Sequence, residues 1–187
     1  MRKIFAFFFA SLDGYHEAPG RDISWHRADE EFSDFDLAQL DEADTYLFGR
    51  VTYQGMAEFW PTKAGLEADP EVAERLNSRP KVVVSRTLRD AGWANTTVVA
   101  AEVDGELRKL KEQPGKDIEV IGSAILTAYL LQAGLLDELR VLVNPVLIGG
   151  GSPAFPVAAP VSLELLATRQ FGNGNVLLTY RPAPAPV

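Results

Sequence analysis

Short apolar runs recur along the chain, several of them closing on Gly, Ser or Asp. Strand-like runs fall at residues 3–10, 45–48, 81–85, 97–100, 118–121, 138–146, 163–171 and 176–180. Runs of this length, rich in Val, Ile and Phe and bounded by turn residues, read as strands. Helical patterns lie between the early ones. Residues 30–40 place Phe32, Phe35 and Leu40 at roughly helical spacing, and 70–76 opens on Asp69-Pro70, an N-cap followed by Pro in the first turn. Residues 102–112 and 123–133 complete the set, the last closing at Gly134. Alternating strands and helices predict an α/β fold, with a largely parallel sheet covered by helices.

The last third has a different rhythm. Runs 163–171 and 176–180 are separated only by Gly172-Asn173-Gly174-Asn175, a loop that suits a β-hairpin, so the sheet is expected to end in antiparallel edge strands. A single domain is expected over 1–181. Residues 182–187, Pro and Ala with a final Val, have no period and are expected to form a frayed extended tail. Arg2-Lys3 ahead of an apolar run resembles the start of a signal peptide. That run is short, rich in Phe and followed at once by the turn Ser11-Leu12-Asp13-Gly14, so a strand is the better reading.

Composition narrows the function classes. The 187 residues, 47% hydrophobic and 24% charged, suffice for one core but not comfortably for two. Lys and Arg total 18 against 26 Asp and Glu, a formal charge of -8 with no basic run, which argues against nucleic-acid and anionic-membrane partners. No segment reaches the roughly 20 apolar residues needed to span a bilayer. The absence of Cys excludes disulfides, thiol nucleophiles and thiolate metal sites and permits a reducing, cytoplasmic setting. His16 and His26 lack metal-ligand spacing, and no G-x-S-x-G elbow supports a hydrolase.

Candidate chemistry gathers where strands end, which is where open α/β sheets bind ligands. Asp13 follows the first strand and could orient a substrate, although Asp-Gly is also an ordinary turn. Gly49-Arg50-Val51-Thr52-Tyr53 runs from a strand into an apparent helix start, where free N–H groups and a guanidinium would meet a phosphate. Ser85-Arg86 repeats the pairing of hydroxyl and guanidinium. Gly122-Ser123-Ala124-Ile125-Leu126 passes from a buried strand into a helix without the G-x-G-x-x-G fingerprint. Gly149-Gly150-Gly151-Ser152 suits either an anion-binding nest or, preferably, a flexible bend. Trp25 and Tyr53 are the candidate aromatic contacts to a substrate ring.

These segments, in this order, resemble the dihydrofolate reductase superfamily, and more closely its branch containing the C-terminal reductase domain of the bifunctional riboflavin-biosynthesis protein. The carriers are SLDGY, LFGRVTY, VVSRTL, IEVIGSAILTAYLLQAGLLDELRV and NPVLIGGGSPAF, which together span almost the whole chain. The resemblance implies a dihydrofolate-reductase-like three-layer α/β/α fold that binds NADPH, and a homodimer, for which the long apolar run 139–148 is the expected contact. It places Gly49, Arg50 and Thr52 on the phosphates and Ser85 and Arg86 near the adenosine 2′-phosphate. Gly122, Ser123, Ala124, Ile125 and Leu126 fall on the pyrophosphate and nicotinamide side.

Departures from the family pattern concern the substrate. After Trp25 the expected Pro is missing and Asp29 is only a positional match for the helix carboxylate, while Asp13 matches the SxDG aspartate. Ser123 stands where a second Gly is common. The expected activity is hydride transfer to a small planar or sugar-phosphate-like substrate, with Asp13 first and Asp29 second as the proton-handling carboxylate. Such a group needs a raised pKa to act as an acid near neutrality. The alternative is a nucleotide-binding module that keeps the cleft without catalysis.

Overall fold

The structure is a computed structural model that describes residues 1–183. Its first strand, β1 (Ile4–Ser11), alternates two apolar sets. Ile4, Ala6, Phe8 and Ala10 face one way, and Phe5 and Phe7 the other, all almost fully buried. A strand buried on both faces needs helices above and below it. The chain supplies them in order: β2 (Tyr15–Glu17), α1 (Glu30–Leu40), β3 (Ala43–Gly49), α2 (Arg50–Phe59), α3 (Lys63–Ala68), α4 (Pro70–Ser78), β4 (Lys81–Val84), β5 (Thr96–Val99), α5 (Val103–Glu112), β6 (Asp117–Ile121) and α6 (Ala124–Gln132), then β7 (Glu138–Asn144), β8 (Ser152–Pro153), β9 (Leu163–Gln170) and β10 (Val176–Pro182).

Eight strands form one sheet in the order β5-β4-β3-β6-β1-β7-β10-β9. The first six are parallel; β10 adds antiparallel to β7, and β9 antiparallel to β10. Leu107 of α5 and Leu126, Leu130 and Leu131 of α6 pack on Ile4, Ala6, Phe8, Val120 and Val141. On the opposite face Leu40 of α1, Tyr53 of α2 and Val72 and Leu76 of α4 cover Phe5, Tyr46, Phe48 and Val83, and Phe32 of α1 joins Phe7, Leu142, Phe171 and Leu177. The expected three-layer fold, its parallel majority and its antiparallel hairpin are all present.

Several expectations change. The strand placed at 138–146 stops at Asn144, because Pro145 has no N–H to offer a ladder. Of the run 139–148, residues 139–144 lie in β7 between β1 and β10, with Leu139, Val141 and Leu142 buried in the chain's own core, while Leu147 beyond it is exposed. Pairing along β10 continues through Pro182 and Ala183 N–H donates to Ser162 O, so the tail begins later than 182; residues 184–187 lie outside the described residues. The short helix α3 and the two-stranded β2–β8 ribbon have no counterpart in the sequence pattern.

Two fully buried asparagines tie the segment before α1 to the sheet. Asn144 Oδ1 accepts from Arg27 N–H at 2.9 Å, and Asn175 Nδ2 donates to Arg27 O at 2.8 Å. One backbone unit is thus gripped by β7 and by the β9–β10 hairpin at once. Asn144→Ala leaves the Arg27 amide without its partner and is expected to cost about 1–3 kcal/mol in urea denaturation. Faster amide exchange around residue 27 is the accompanying signature.

Candidate functional site

Because β1, β3, β4, β6 and β7 are parallel, their carboxyl ends lie along one rim of the sheet, bringing together Asp13, Gly49, Ser85, Gly122 and Asn144. The β3–α2 and β6–α6 junctions touch directly: Gly49 N–H donates to Ser123 Oγ at 2.9 Å, and Ser123 Oγ–H donates to Ile121 O at 3.2 Å. Gly122 and Ser123 both adopt left-handed backbone (φ 57° and 58°) to make this turn, a conformation that costs a non-glycine residue about 1 kcal/mol. The serine that replaces a second glycine therefore fastens the two junctions, and the Gly49 amide is not free for a phosphate.

The helices that start here differ from their neighbours. Asp29, Thr62 and Asp69 cap α1, α3 and α4 through side-chain oxygens. Neither α2 nor α6 has a side-chain cap, and α5, farther toward the sheet's edge, starts uncapped as well. At the Gly49–Ser123 junction the first-turn N–H groups of α2 and α6 are thus left for an anion. Arg50 is exposed, donating only to Gln54 Oε1, and Arg86 is exposed too; among the described residues neither is paired with a carboxylate. A Cβ added at Gly122 would lie 3.4 Å from Thr52 Cγ2, so the glycine keeps the space between the two helix starts open.

The remaining expected residues divide by their hydrogen bonds. Ser85 Oγ accepts from Thr87 and Leu88 N–H, so its hydroxyl closes a turn while Arg86 stays free. Leu126 and Ala124 side chains are buried and bring only backbone to the rim, whereas the Ile125 side chain is exposed. Tyr53 is buried, its hydroxyl accepting from Trp93 N–H and lying 3.3 Å from Thr96 Oγ1, and it packs in the core under α2. Asp29 is occupied as the α1 cap. Trp25 donates its indole N–H to Asp22 O and meets His26 edge-on.

Asp13 is the clamp of the glycine-rich loop. Its carboxylate accepts from Ser11 Oγ at 2.6 Å, from Ile148 N–H, and from Gly149 N–H at 2.8 Å. The loop is an anion nest after all, and its anion is a side chain of the same protein. Nor is it a flexible bend: a Cβ at Gly151 would sit 2.0 Å from Glu17 O, so this turn admits only glycine. The Ser11 and Gly149 hydrogen bonds hold the Asp13 carboxyl below its ordinary value, the opposite of what proton donation at neutrality needs.

Two further titratable residues are buried or partly buried without hydrogen-bonding partners for their titrating side-chain atoms among the described residues. His26 stacks on Phe9 with centroids 4.1 Å apart, its Nε2 buried without a partner, and burial pulls it down to about 4, so the ring is neutral. Asp36, on the sheet-facing side of α1, makes no hydrogen bond or ion pair among the described residues, and burial pushes it up to about 6. No cluster able to hold a metal occurs among the described residues, and no helix there is long and apolar enough to cross a membrane.

The model of the RibD C-terminal domain matches residues 2–177. The chain belongs to this family. An uncharacterized Bacillus subtilis (strain 168) relative, YyaP, is 31% identical over 186 residues, covering 96% of this chain and 94% of its own. A candidate riboflavin biosynthesis protein from Shewanella sp. PV-4 superposes with TM-score 0.75 at 20% identity, covering 97% of this chain and 99% of that one. Dihydrofolate reductase from Enterococcus faecalis, solved with NADP(H), gives TM-score 0.62 at 17% identity over 97% of both chains. The RibD C-terminal family and a fold shared with dihydrofolate reductase are therefore established for this sequence.

The clamp on the RibD-type loop carries a pH signature. A carboxyl whose folded value is lowered contributes stability that is present above its unfolded value and lost as pH falls through the folded one. The 148–149 amides are expected to stay protected from exchange at neutral pH and to open on acidification below about pH 4. Asp13→Asn should open them at neutral pH, as amide exchange followed by NMR will show.

Proposed function

We propose that the protein is a cytoplasmic, NADPH-dependent reductase acting on a C=N or C=O bond of a small planar or sugar-phosphate-like substrate of pyrimidinone or pterin type. The observation that carries this reading is the meeting of two uncapped helix starts at the Gly49–Ser123 junction, with two unpaired guanidiniums on the same rim. The residues fit the cofactor. Backbone N–H groups of Arg50, Val51 and Thr52 on α2, and of Ala124, Ile125 and Leu126 on α6, would receive the pyrophosphate, and Gly122 leaves the space between them open. Arg50 and Arg86 suit a further phosphate, which separates NADPH from NADH. Bound there, NADPH supplies the hydride; the protein orients it and excludes water.

Fluorescence titration tests the cofactor site directly. Arg86→Ala is expected to weaken NADPH binding about 10- to 100-fold, the worth of one charge-assisted hydrogen bond (~1.5–3 kcal/mol), and to leave NADH binding nearly unchanged. Equal losses for both cofactors would remove Arg86 from the 2′-phosphate. NADPH binding without oxidation across pterin, pyrimidinone and imine substrates would leave a binding module in place of an enzyme.

A second copy of the chain is the proposed partner of β9. All eight residues of this edge strand are exposed, Leu163, Leu165 and Leu166 among them. An unpaired apolar edge invites pairing with another strand. Light scattering should give twice the 20.5 kDa chain mass, and Leu165→Glu should return the monomer without loss of fold by circular dichroism.

A further inference from the structure

Between β2 and α1 the chain folds on itself before it reaches the sheet. Ala18 N–H donates to Asp22 O, Arg21 N–H to Ala18 O and His26 N–H to Ile23 O, so residues 18–28 form a strap closed by its own turns. Strand register fixes what lies beneath its end. Phe9 pairs with Leu142 and Leu142 with Leu177; two residues farther on, Ser11 pairs with Asn144. Residues two apart on a strand share a face, so an apolar row, Phe9, Leu142 and Leu177, borders a buried polar row at the rim, Ser11, Asn144 and Asn175. The strap is seated on both rows. The His26 ring lies flat on Phe9, 4.1 Å between centroids and 8° between planes, and the Arg27 peptide sits on the two asparagines. Gly122 N–H donates to Phe7 O at 3.0 Å, so this seat adjoins the cofactor cradle proposed above.

Two buried atoms of the seat have no partner among the described residues, His26 Nε2 on the strap and Asn175 Oδ1 on the body. A neutral imidazole carries one N–H, whereas the protonated ring carries two and a charge. Here the charged ring would place an N–H in a site without an acceptor, against Phe9 and edge-on to Trp25. The charged groups nearby give no relief. His16 of β2 repels a second cation, and the Arg27 guanidinium, bonded to Asn173 O, is also positive. The Asp22 carboxylate is exposed and accepts from Ser24 N–H, and Glu17 accepts from Ser152 Oγ. Asp13 is held by the glycine-rich loop, Asp29 caps α1, and Glu31 is taken by Arg169 and the Gly172 amide.

We infer that His26 is an acid-released latch: its neutral ring on Phe9 holds residues 18–28 across the carboxyl end of β1, and a proton taken up from water by that ring frees them. Burial, with the His16 charge adding to it, pulls the seated ring from 6.5 down to about 4. A group lowered on seating contributes its full hold above its free value and loses it as pH falls through the seated one. The latch is therefore closed above about pH 6.5 and weakens toward about pH 4. Once free, the strap leaves Phe9 and the polar row open to solvent beside the cradle, with the sheet intact. The latch requires neither hydride nor cofactor, so it stands apart from the reductase reading.

Hydrogen exchange of the cofactor-free protein, followed by NMR and corrected for the intrinsic rate at each pH, reads the latch at the Arg27 amide, whose acceptor is Asn144 Oδ1. Protection there should fall roughly 10- to 100-fold from about pH 7 to about pH 4.5, while the amides of β1, β7 and residues 148–149 keep theirs. The His26 ring resonances should titrate well below 6.5. His26→Phe keeps a flat ring on Phe9 and cannot take a proton, so its Arg27 amide should stay protected at both pH values.

Equal protection of the wild-type Arg27 amide at both pH values overturns the inference, as does a His26→Phe protein that follows the wild-type pH profile. Should phenylalanine fail to seat, the wild-type ring decides: a His26 midpoint at the ordinary 6.5 overturns the latch, and a midpoint well below it supports the latch.

Discussion

Burial of the opening strand on both faces is the constraint from which the rest of the molecule follows. With Ile4, Ala6, Phe8 and Ala10 on one side and Phe5 and Phe7 on the other, β1 cannot lie at an edge or face water. It is flanked by β6 and β7, both parallel to it, and parallel neighbours require crossovers that return the chain to the same end. Apart from β4 to β5, which residues 85–95 join without a helix, each crossover here runs through a helix that starts at the carboxyl rim. The phosphate-type cradle at α2 and α6 is thus a geometric consequence of how β1 is covered.

Hydrogen bonding on that rim separates frame from ligand site. Asp13, Ser85, Ser123 and Asn144 are the polar residues that a motif scan would assign to a ligand, and each is already satisfied inside the protein. What remains unsatisfied is backbone at two helix starts and two guanidiniums. Buried polar groups are paired almost without exception, so the groups left open at a rim carry more functional information than the residue types around it. By this criterion Arg50 and Arg86 are left open to a ligand, while Tyr53 and Asp29 are hydrogen-bonded within the frame.

Legibility in the sequence followed the range of the interactions. The β1 run, the caps Asp69-Pro70 and Gly134, and the Gly172–Asn175 hairpin are local signals, and the fold they predict is the one found. The β2–β8 ribbon joins three residues to two across 135 positions, and the clamp from Asp13 to Gly149 spans 136, so neither leaves a local trace. Helix α2 was visible only at its start because Gly55 and the β-branched Val51 and Thr52 weaken its propensity. The partial burial of Asp36 was hidden for another reason: it belongs to an acidic stretch with Glu30, Glu31 and Asp34, which reads as a solvated face until the sheet beneath it is known.

The energetics of that sheet argue that Glu119 is not there for stability. An unpaired buried oxygen costs about 1–3 kcal/mol, and Gln39 satisfies only one of the two. A leucine at this position would pack between Phe5 and Tyr46 without the penalty, and replacing buried ionisable groups by apolar ones is often neutral or stabilising. Arg140, the nearest candidate counter-ion, is already held by Glu42 and Glu138. Burial and the nearby charge of Asp36 push the Glu119 carboxyl up to about 8, so it is held in its neutral form. Phe5, Glu119 and Tyr46 lie on one register line across β1, β6 and β3, so this buried carboxyl is set into the same three adjacent positions that fix the core.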